Sequence, residues 1–354
     1  MRKLIAEILN EDEQIEVVGF ARNGTDGLLK IKTLKPDVIS LDIEMPVMDG
    51  ITTLKEIMRD IPTPVVMLSG TNRSGVELVM ECMKLGAVNF IEKPSGVFSQ
   101  DLHRIKREMV QKIKEAATVN INVLNRAGSL KKSVSSSVYS KEQTTGKDSL
   151  VNYSGNSWPK MICIGASTGG PRALYTVLPL LNGNIEAPIL IVQHMPQGFT
   201  KSFAGRLNEL SNITVKEAVD GELIRNGTAY LAPGGSHLRV LYQSGVMVAR
   251  VEKTPPMNGH RPSVDVLFNS VSELPQIYEC VAVLMTGMGS DGTKGIMNIG
   301  KRKKSILIAE SEETCVVFGM PKSAIATGRV DQIIPLYNIA EALNEIVRVR
   351  GDKG

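Results

Sequence analysis

A serine flanked by small residues stands where an apolar segment meets the start of a helix. Residues 161–164 are apolar, Ser167 lies at the centre of the sequence Gly-Ala-Ser-Thr-Gly, and Pro171 suits the first turn of a helix, where an amide would lack a partner. Such a turn exposes the hydroxyl at the carboxyl edge of a sheet. We interpret Ser167 as a candidate nucleophile, although similar turns also bind phosphate or permit close packing.

A serine hydroxyl needs a base near neutral pH, and the chain offers four histidines. His194 follows the largely apolar segment 187–193, so it should emerge at the same sheet edge as the serine. His237 and His260 lie in loops rich in glycine and proline, whereas His103 falls in a charged helix. We favour His194 as the base, with His237 and His260 as the next candidates; the alternative role for His194 is a loop histidine that hydrogen-bonds the backbone.

A carboxylate follows a third apolar segment. Asp291 comes after residues 281–285, in a loop rich in glycine, and it is also a good N-cap for a helix that starts near residue 293. Serine, histidine and aspartate at three strand ends would form a triad, in which histidine takes the serine proton and aspartate orients histidine. The chain order differs from the Ser–Asp–His order of α/β-hydrolases, so the serine motif does not indicate that fold.

Composition narrows the class of protein. The 354 residues suffice for two domains, and 41 Lys and Arg against 37 Asp and Glu give no general attraction to nucleic acid or to an anionic membrane. We interpret the basic run 301–304 as the solvated end of a helix. Four isolated cysteines indicate neither zinc nor disulfides, and no segment is typical of a membrane span or a signal peptide. We therefore expect a cytoplasmic protein.

Two α/β domains are predicted, 1–116 and 159–350, joined by a polar, aperiodic segment, 117–158, that is typical of a flexible linker. Alternating strand and helix signals predict a doubly wound parallel sheet in the first, of the flavodoxin-like type. Its strands are predicted over 15–21, 37–42, 64–69 and 88–92. Its helices are predicted over 4–10, 24–34, 51–59, 76–85 and 101–115.

Three polar residues close predicted strands of the first domain. Asp42 begins the sequence Asp-Ile-Glu-Met-Pro-Val-Met-Asp-Gly, Ser69 ends the next strand, and Lys93 precedes a proline after the last one. This set resembles the response-regulator receiver family. The resemblance implies that Asp42 accepts a phosphoryl group and takes part in binding Mg²⁺, and that Ser69 and Lys93 contact the phosphoryl group.

The start of the chain departs from the receiver pattern. Receiver domains begin with a strand that ends in two acidic residues, which bind Mg²⁺, whereas this sequence starts within the first predicted helix. The sheet would then lack an interior strand, and a gap of about 10 Å could close only by new pairing between 15–21 and 37–42. We therefore expect weak Mg²⁺ binding, poor phosphorylation of Asp42 and little restraint of the second domain.

The second domain carries five motifs, at 165–171, 193–196, 231–235, 261–265 and 286–292. Together they resemble the chemotaxis-type protein-glutamate methylesterase family, in which a receiver is joined to a doubly wound α/β serine hydrolase. The resemblance places the nucleophile on Ser167, the base on His194 and the orienting carboxylate on Asp291. It places the oxyanion donors near Thr168 and at the backbone of Met288.

The resemblance also implies a function. The protein would hydrolyse glutamate methyl esters on methyl-accepting chemotaxis receptors and deamidate receptor glutamines, with no cofactor in the hydrolase domain. Its phosphodonor would be the chemotaxis histidine kinase, and it would act as a monomer without entering the membrane. The alternative is a phosphorylation-switched module that binds a nucleotide or a protein. A transcription factor is disfavoured, because the second domain shows no basic recognition helix.

Overall fold

The computed structural model describes residues 2–70, 73–93, 99–121, 123 and 159–348, so most of the predicted linker, 117–158, lies outside it. The first part of the chain forms three strands and five helices within these ranges. The strands are β1 (Ile39–Asp42), β2 (Val65–Ser69) and β3 (Asn89–Glu92). The helices are α1 (Arg2–Asn10), α2 (Gly24–Leu34), α3 (Gly50–Asp60), α4 (Arg73–Leu85) and α5 (Ser99–Ala117).

The second part is larger. Its strands are β4 (Lys160–Ala166), β5 (Ile189–Gln193), β6 (Thr214–Glu217), β7 (Thr228–Leu231), β8 (His237–Gln243), β9 (Val246–Glu252), β10 (Glu279–Leu284), β11 (Ser305–Glu310) and β12 (Gln332–Ile334). Its helices are α6 (Gly170–Val177), α7 (Phe199–Leu210), α8 (Val264–Ser272), α9 (Thr293–Ile299), α10 (Met320–Ile325) and α11 (Leu336–Val347). Over the described ranges, no helix is both long and apolar enough to cross a bilayer.

The first sheet is parallel, in the order β1-β2-β3, with helices on both faces. Alternate residues of β2 face opposite sides, as the period of a strand requires. Val65 and Met67 pack in a cluster with α3 and α4, whereas Val66 and Leu68 pack in a cluster with α1 and α5. The predicted helices and three of the four predicted strands of this part are confirmed, with shifts of a few residues at their ends.

The strand predicted over 15–21 is wrong. The segment makes no ladder with any described strand, and Val18 and Phe20 are 49% and 48% exposed. Its alternating pattern indicates an extended chain, but a strand also needs a neighbour with a free edge in register. The pairing with β1 that would have closed the gap is not formed; a cavity of about 400 Å³, lined by α1, α2, β1 and this segment, lies there instead.

The second sheet has seven parallel strands in the order β12-β11-β10-β4-β5-β7-β6, and β8 and β9 form a separate antiparallel hairpin. The chain leaves β4 toward β5 on one side and later returns to place β10 on the other. The carboxyl ends of β10, β4 and β5 are therefore adjacent at a point where the winding direction changes. Open α/β sheets bind their ligands in the crevice at such a point.

Both faces of the central strand are buried. Ile162 and Ile164 of β4 pack in the cluster that contains α6 and α7, whereas Met161 and Cys163 pack in the cluster that contains α8 and α9. This explains the continuous apolar run, which is typical of a parallel strand covered by helices. The first cluster continues into the receiver-like part through α4, which packs against α6 and α7.

The interpretation of the basic run 301–304 as a solvated helix end is wrong for Arg302. Its side chain is buried, because the guanidinium lies under the loop that joins α8 to β10. There it donates hydrogen bonds to the backbone carbonyls of Ser272, Leu274, Pro275 and Tyr278. A charge count along the sequence does not distinguish such an internal anchor from a surface cation.

Candidate active site

Residues 166–170 carry the candidate nucleophile and are named the nucleophile turn; backbone hydrogen bonds fix this turn on both sides. Ser167 follows β4 directly, its amide donates to Thr286 O at 3.0 Å, and its carbonyl accepts the amide of Gly170 at 2.8 Å. Gly169 has φ = 79°, a left-handed conformation, and a Cβ there would come within 2.5 Å of a valine side chain. The small residues of the motif are therefore required by the turn itself.

The three residues predicted at strand ends lie together. His194 Nδ1 is 3.1 Å from Ser167 Oγ, and His194 Nε2 is 2.8 Å from Asp291 Oδ2. When Nε2 carries the proton and donates it to the carboxylate, Nδ1 presents a lone pair to the serine hydroxyl. The order of the strands explains this, since β5 and β10 flank β4 and their ends are level with it.

Asp291 is held as a buried anion. Its carboxylate accepts hydrogen bonds from the hydroxyl of Ser263 at 2.8 Å, the amide of Val264 at 2.7 Å and the amide of Asp265 at 3.1 Å. Burial by itself raises the pKa of Asp291, but the hydrogen bond and charge of His194 and these amides outweigh it and lower the pKa to about 2. The group is therefore ionised throughout the neutral range.

The N-cap role expected of Asp291 for the helix near residue 293 is wrong. Gly292 is the N-cap of α9 and makes no side-chain capping bond; the first-turn amide of Gly295 instead donates to the carboxylate of Asp265. The carboxylate instead reaches the first amides of α8, a helix distant in sequence, where it complements the positive end of the helix dipole. The capping rule identified the right chemistry and the wrong helix.

Replacing Asp291 by asparagine is expected to lower kcat for ester hydrolysis by about 10⁴. The amide leaves the positive charge on His194 uncompensated and does not fix its tautomer. The measurement is steady-state turnover beside a thermal melt, with Asp265→Asn as the matched control, since Asp265 is a buried carboxylate that accepts the amide of Gly295. Equal loss of turnover in both variants would contradict the role of Asp291.

A second imidazole lies against the candidate base. The ring of His260 stacks on that of His194 with centroids 3.9 Å apart and an angle of 11°. Burial, and then the proximity of His194, lower the pKa of His260 to about 4. His260 is therefore neutral at pH 7 and does not repel a proton on its neighbour. This stacking fixes the plane of the His194 ring. The sequence did not reveal the contact between the two rings.

The loop position expected of His237 is wrong, since His237 is the first residue of β8. It is buried, its Nδ1 accepts the amide of Ser263 at 3.2 Å, and its Nε2 donates to Pro255 O at 3.1 Å. Burial lowers the pKa of His237, which favours the neutral ring that these two bonds require. His237 thus holds the loop that supplies Ser263 to Asp291.

The two segments predicted to supply oxyanion donors lie beside the nucleophile. Thr168 is buried next to Ser167, and Met288 is 39% exposed. A Cβ on Gly287 would stand 2.7 Å from Ser167 Cβ, so the backbone that leads to Met288 passes directly over the serine. The assignment of particular amides as donors stays a prediction.

Gln193 is a site residue that the sequence analysis missed. Its buried amide nitrogen donates to Ser167 O at 2.9 Å and to His194 O at 3.1 Å. It therefore ties the nucleophile turn to the residue that carries the base. The available signal was a polar residue at the end of an otherwise apolar strand, since such a residue is seldom buried without partners.

The receiver-like part brings its predicted residues to one edge. Lys93 Nζ lies 2.6 Å from Asp42 Oδ1. Contact of Lys93 with a phosphoryl group stays a prediction. Ser69 is buried at the end of β2, and its hydroxyl donates to the carbonyl of Gly70 at 2.9 Å. The carboxyl edge of the first sheet thus carries the carboxylate of Asp42 with the ammonium group of Lys93 beside it.

The residues around Asp42 do not fit a resident Mg²⁺. In the part of the chain that the structure describes, no group of three or more His, Cys, Asp or Glu side chains is placed to hold a metal ion. The carboxylate of Asp42 is engaged with the ammonium of Lys93. Mg²⁺ prefers octahedral oxygen coordination with carboxylate ligands. Weak metal binding at this site stays a prediction.

A doubly wound α/β domain with serine, histidine and aspartate at its carboxyl edge, joined to a small parallel sheet with a paired aspartate and lysine, is the arrangement of a receiver-linked hydrolase. Residues 162–343 match the family model of the CheB methylesterase, and residues 1–104 match the response regulator receiver domain. The chain belongs to the CheB methylesterase family, whose members are carboxylic ester hydrolases.

Relatives cover nearly the whole chain. It is 47% identical over 347 residues to the protein-glutamate methylesterase/protein-glutamine glutaminase of Geobacillus kaustophilus, covering 98% of this chain and 95% of the relative. It is 48% identical over 348 residues to that of Halalkalibacterium halodurans, covering 97% and 94%. The catalytic domain of Thermotoga maritima CheB methylesterase superposes with a TM-score of 0.51 at 47% identity, covering 53% of this chain and 98% of that structure. Both family resemblances and the fold class are thereby confirmed.

Proposed function

We propose that the protein is a chemotaxis response regulator that hydrolyses glutamate methyl esters on methyl-accepting chemotaxis receptors and deamidates receptor glutamines. The observation that carries the proposal is the position of His194, within hydrogen-bond distance of Ser167 on one side and Asp291 on the other. The names of the relatives support the substrate. The four buried free cysteines support a reducing compartment, the cytoplasm.

In the first half of the proposed reaction, Ser167 Oγ attacks the acyl carbon while its proton passes to Nδ1 of His194. Asp291 stabilises the resulting imidazolium. Backbone amides near Thr168 and Met288 stabilise the oxyanion, by about 3 kcal/mol for each donor. The proton then moves from His194 to the leaving group. With a methyl ester the carbon–oxygen bond breaks and methanol departs; with glutamine the carbon–nitrogen bond breaks and ammonia departs.

In the second half, water replaces the leaving group. His194 takes a proton from water as the water oxygen attacks the glutamyl ester on Ser167. The collapse of this second oxyanion breaks the bond to Oγ, and His194 returns its proton to the serine. The products are a receptor glutamate and the free enzyme, so the hydrolase domain needs no cofactor for this sequence of steps.

The test is a direct assay of the full chain with methylated and glutamine-bearing receptor fragments. Methanol and ammonia release are measured beside intact mass after rapid quenching, which detects a glutamyl adduct on Ser167. An adduct and methanol release are expected. Tight binding of a nucleotide at residues 165–171 without any adduct would favour the alternative, a phosphorylation-switched binding module.

Contacts between the two domains reach the nucleophile turn. The carboxylate of Glu115, near the end of α5, is buried and accepts the hydroxyl of Thr168 at 2.7 Å. A few residues later, Asn120 donates its amide to Val316 O at 3.0 Å. The receiver side therefore holds the residue next to Ser167 through a charge-assisted hydrogen bond.

Regulation through the receiver is part of the proposal. A phosphoryl group from the chemotaxis histidine kinase, carried on Asp42, would alter the packing of a domain whose last helix touches Thr168. The chain would act as a monomer with the receptor as its substrate. Poor phosphorylation of Asp42 stays a prediction. The extent of that phosphorylation determines how far the kinase can change the hydrolase activity of this chain.

Replacing Glu115 by alanine is expected to raise basal turnover about fivefold, because the loss of a contact worth about 1 kcal/mol weakens the hold of the receiver side on the hydrolase domain, while the backbone hydrogen bonds that fix Ser167 remain. Methanol release without any phosphodonor is the measurement. Glu108→Ala is the matched control, since Glu108 lies on the same helix and pairs with Lys112. Unchanged turnover in Glu115→Ala would agree with the sequence-based expectation that the receiver exerts little restraint.

A further inference from the structure

A buried carboxyl group lies at the carboxyl edge of the second sheet, one strand away from the triad. Glu310 ends β11, the neighbour of β10, and its side chain is completely buried. One oxygen accepts the amide of Thr286 at 2.8 Å, and the other accepts the hydroxyl of Thr314 at 2.9 Å. Removing a carboxyl group from water costs free energy that its hydrogen bonds only partly offset. Glu310 nevertheless takes no part in the proposed proton transfers.

Thr286, whose amide donates to Glu310, also forms hydrogen bonds with the nucleophile turn. The carbonyl of Thr286 accepts the amide of Ser167 at 3.0 Å. The hydroxyl of Thr286 donates to Thr168 O at 3.0 Å and accepts the amide of Val317 at 3.0 Å. The amide, carbonyl and hydroxyl of Thr286 are thus all hydrogen-bonded, and the amide is the group that donates to Glu310.

The charge state of Glu310 suggests a conservative replacement. Burial raises the pKa of Glu310 to about 7, against the hydrogen bonds of Thr286, Thr314 and Cys315 and the positive charge of Arg172, all of which lower it. Arg172 belongs to α6, the helix that begins after the nucleophile turn. The carboxyl is therefore partly protonated at neutral pH, and a neutral amide of the same length resembles it in shape and charge.

We propose that Glu310 is a positioning residue for the hydrolase: by accepting the amide of Thr286, it fixes the strand end that orients Ser167. The role requires an acceptor oxygen at that place and does not require a negative charge. The inference rests on the proposed role of Ser167 as nucleophile. It adds a residue that acts through Thr286 and touches neither the substrate nor the reacting atoms.

The experiment compares Glu310→Ala, which removes the acceptor, with Glu310→Gln, which keeps one. We expect Glu310→Ala to lower kcat about 10- to 100-fold with KM within about twofold, since a small displacement of a nucleophile costs rate rather than affinity. Glu310→Gln should stay within about threefold of the original kcat, because its carbonyl oxygen accepts the same amide. The exposed neighbour Glu312, changed to alanine, is the matched control.

Two readouts are used on the full chain: methanol release from methylated receptor, and the rate at which a fluorophosphonate labels Ser167, followed by intact mass. All rates are measured well below the melting temperature of each variant. If the alanine variant does not fold, Glu310→Met fills the volume without an acceptor and takes its place. Labelling should slow in parallel with kcat in the variants that lack the acceptor.

Full kcat and full labelling rate in a folded variant without the acceptor would overturn the inference. Glutamine as slow as alanine would also overturn it, because the acceptor oxygen would then be insufficient. Labelling of Ser167 in the original protein without methanol release would instead overturn the proposed substrate. In that case the labelling rates of the Glu310 variants still decide the role of Glu310.

Discussion

Replacing Ser167 by alanine is expected to lower kcat for methyl ester hydrolysis by about 10⁶, equivalent to about 8 kcal/mol of activation free energy. No other hydroxyl is hydrogen-bonded to His194 among the described residues, so the variant has no substitute nucleophile. The fold should persist, because the turn is held by the backbone amide and carbonyl of residue 167, which alanine retains. Methanol release from methylated receptor is the measurement.

A matched serine tests whether this loss is specific. Ser270 is buried in the same domain, more fully than Ser167, and its hydroxyl accepts the amide of Val240 at 3.0 Å without contacting the triad. Ser270→Ala should lower the melting temperature and leave kcat within about a factor of two, since a core hydrogen bond contributes about 1 kcal/mol to stability. Retention of more than a small fraction of turnover in Ser167→Ala would refute the nucleophile.

The position of the candidate triad could be predicted because parallel sheets obey a simple rule. Ser167, His194 and Asp291 each follow an apolar run, and the carboxyl ends of parallel strands meet at one edge. The rule needs no knowledge of distances. It does not say which strands are neighbours, and the adjacency of β10, β4 and β5 is a property of the whole fold.

Because the order of the strands was unknown, the residues that contact and orient the candidate triad, such as Glu310 and His260, could not be predicted. Glu310 reaches Thr286 only because β11 lies beside β10, and His260 stacks on His194 only because a long loop folds back over the edge. Each contact joins residues that are distant in sequence, and no periodicity or local motif encodes it. The same limit explains Asp291, whose amide partners lie on α8 and not on the helix that follows it.

Residues 15–21, which were predicted to form a strand, show in another way what an alternating sequence pattern does not determine. Apolar residues alternate with polar ones from Ile15 to Val17, and the backbone is indeed outside any helix. Alternation reports which faces of an extended segment prefer burial; it does not supply a hydrogen-bonded neighbour. The segment therefore lines a cavity beside β1 without joining the sheet.

Replacing His194 by alanine is expected to be nearly as damaging as the loss of the serine, with kcat lower by about 10⁶. The change removes the proton acceptor for Ser167 and leaves Asp291 without its imidazole partner. His260 does not replace it, because its ring lies parallel to that of His194 and a low pKa makes it a weak base. Methanol release is measured with and without added imidazole, which should restore a small part of the rate by entering the vacated space.

The other two histidines of the second domain provide the controls that decide the assignment. His237→Ala loses bonds to Ser263 and Pro255 and should lower stability while keeping substantial turnover. His260→Ala removes the stacked ring and should reduce kcat by about tenfold, as expected for a residue that orients the base without exchanging protons. An inactive, folded His237→Ala beside an active His194→Ala would show that the base is misassigned. The distances from His194 to Ser167 and Asp291 lead us to expect the opposite order.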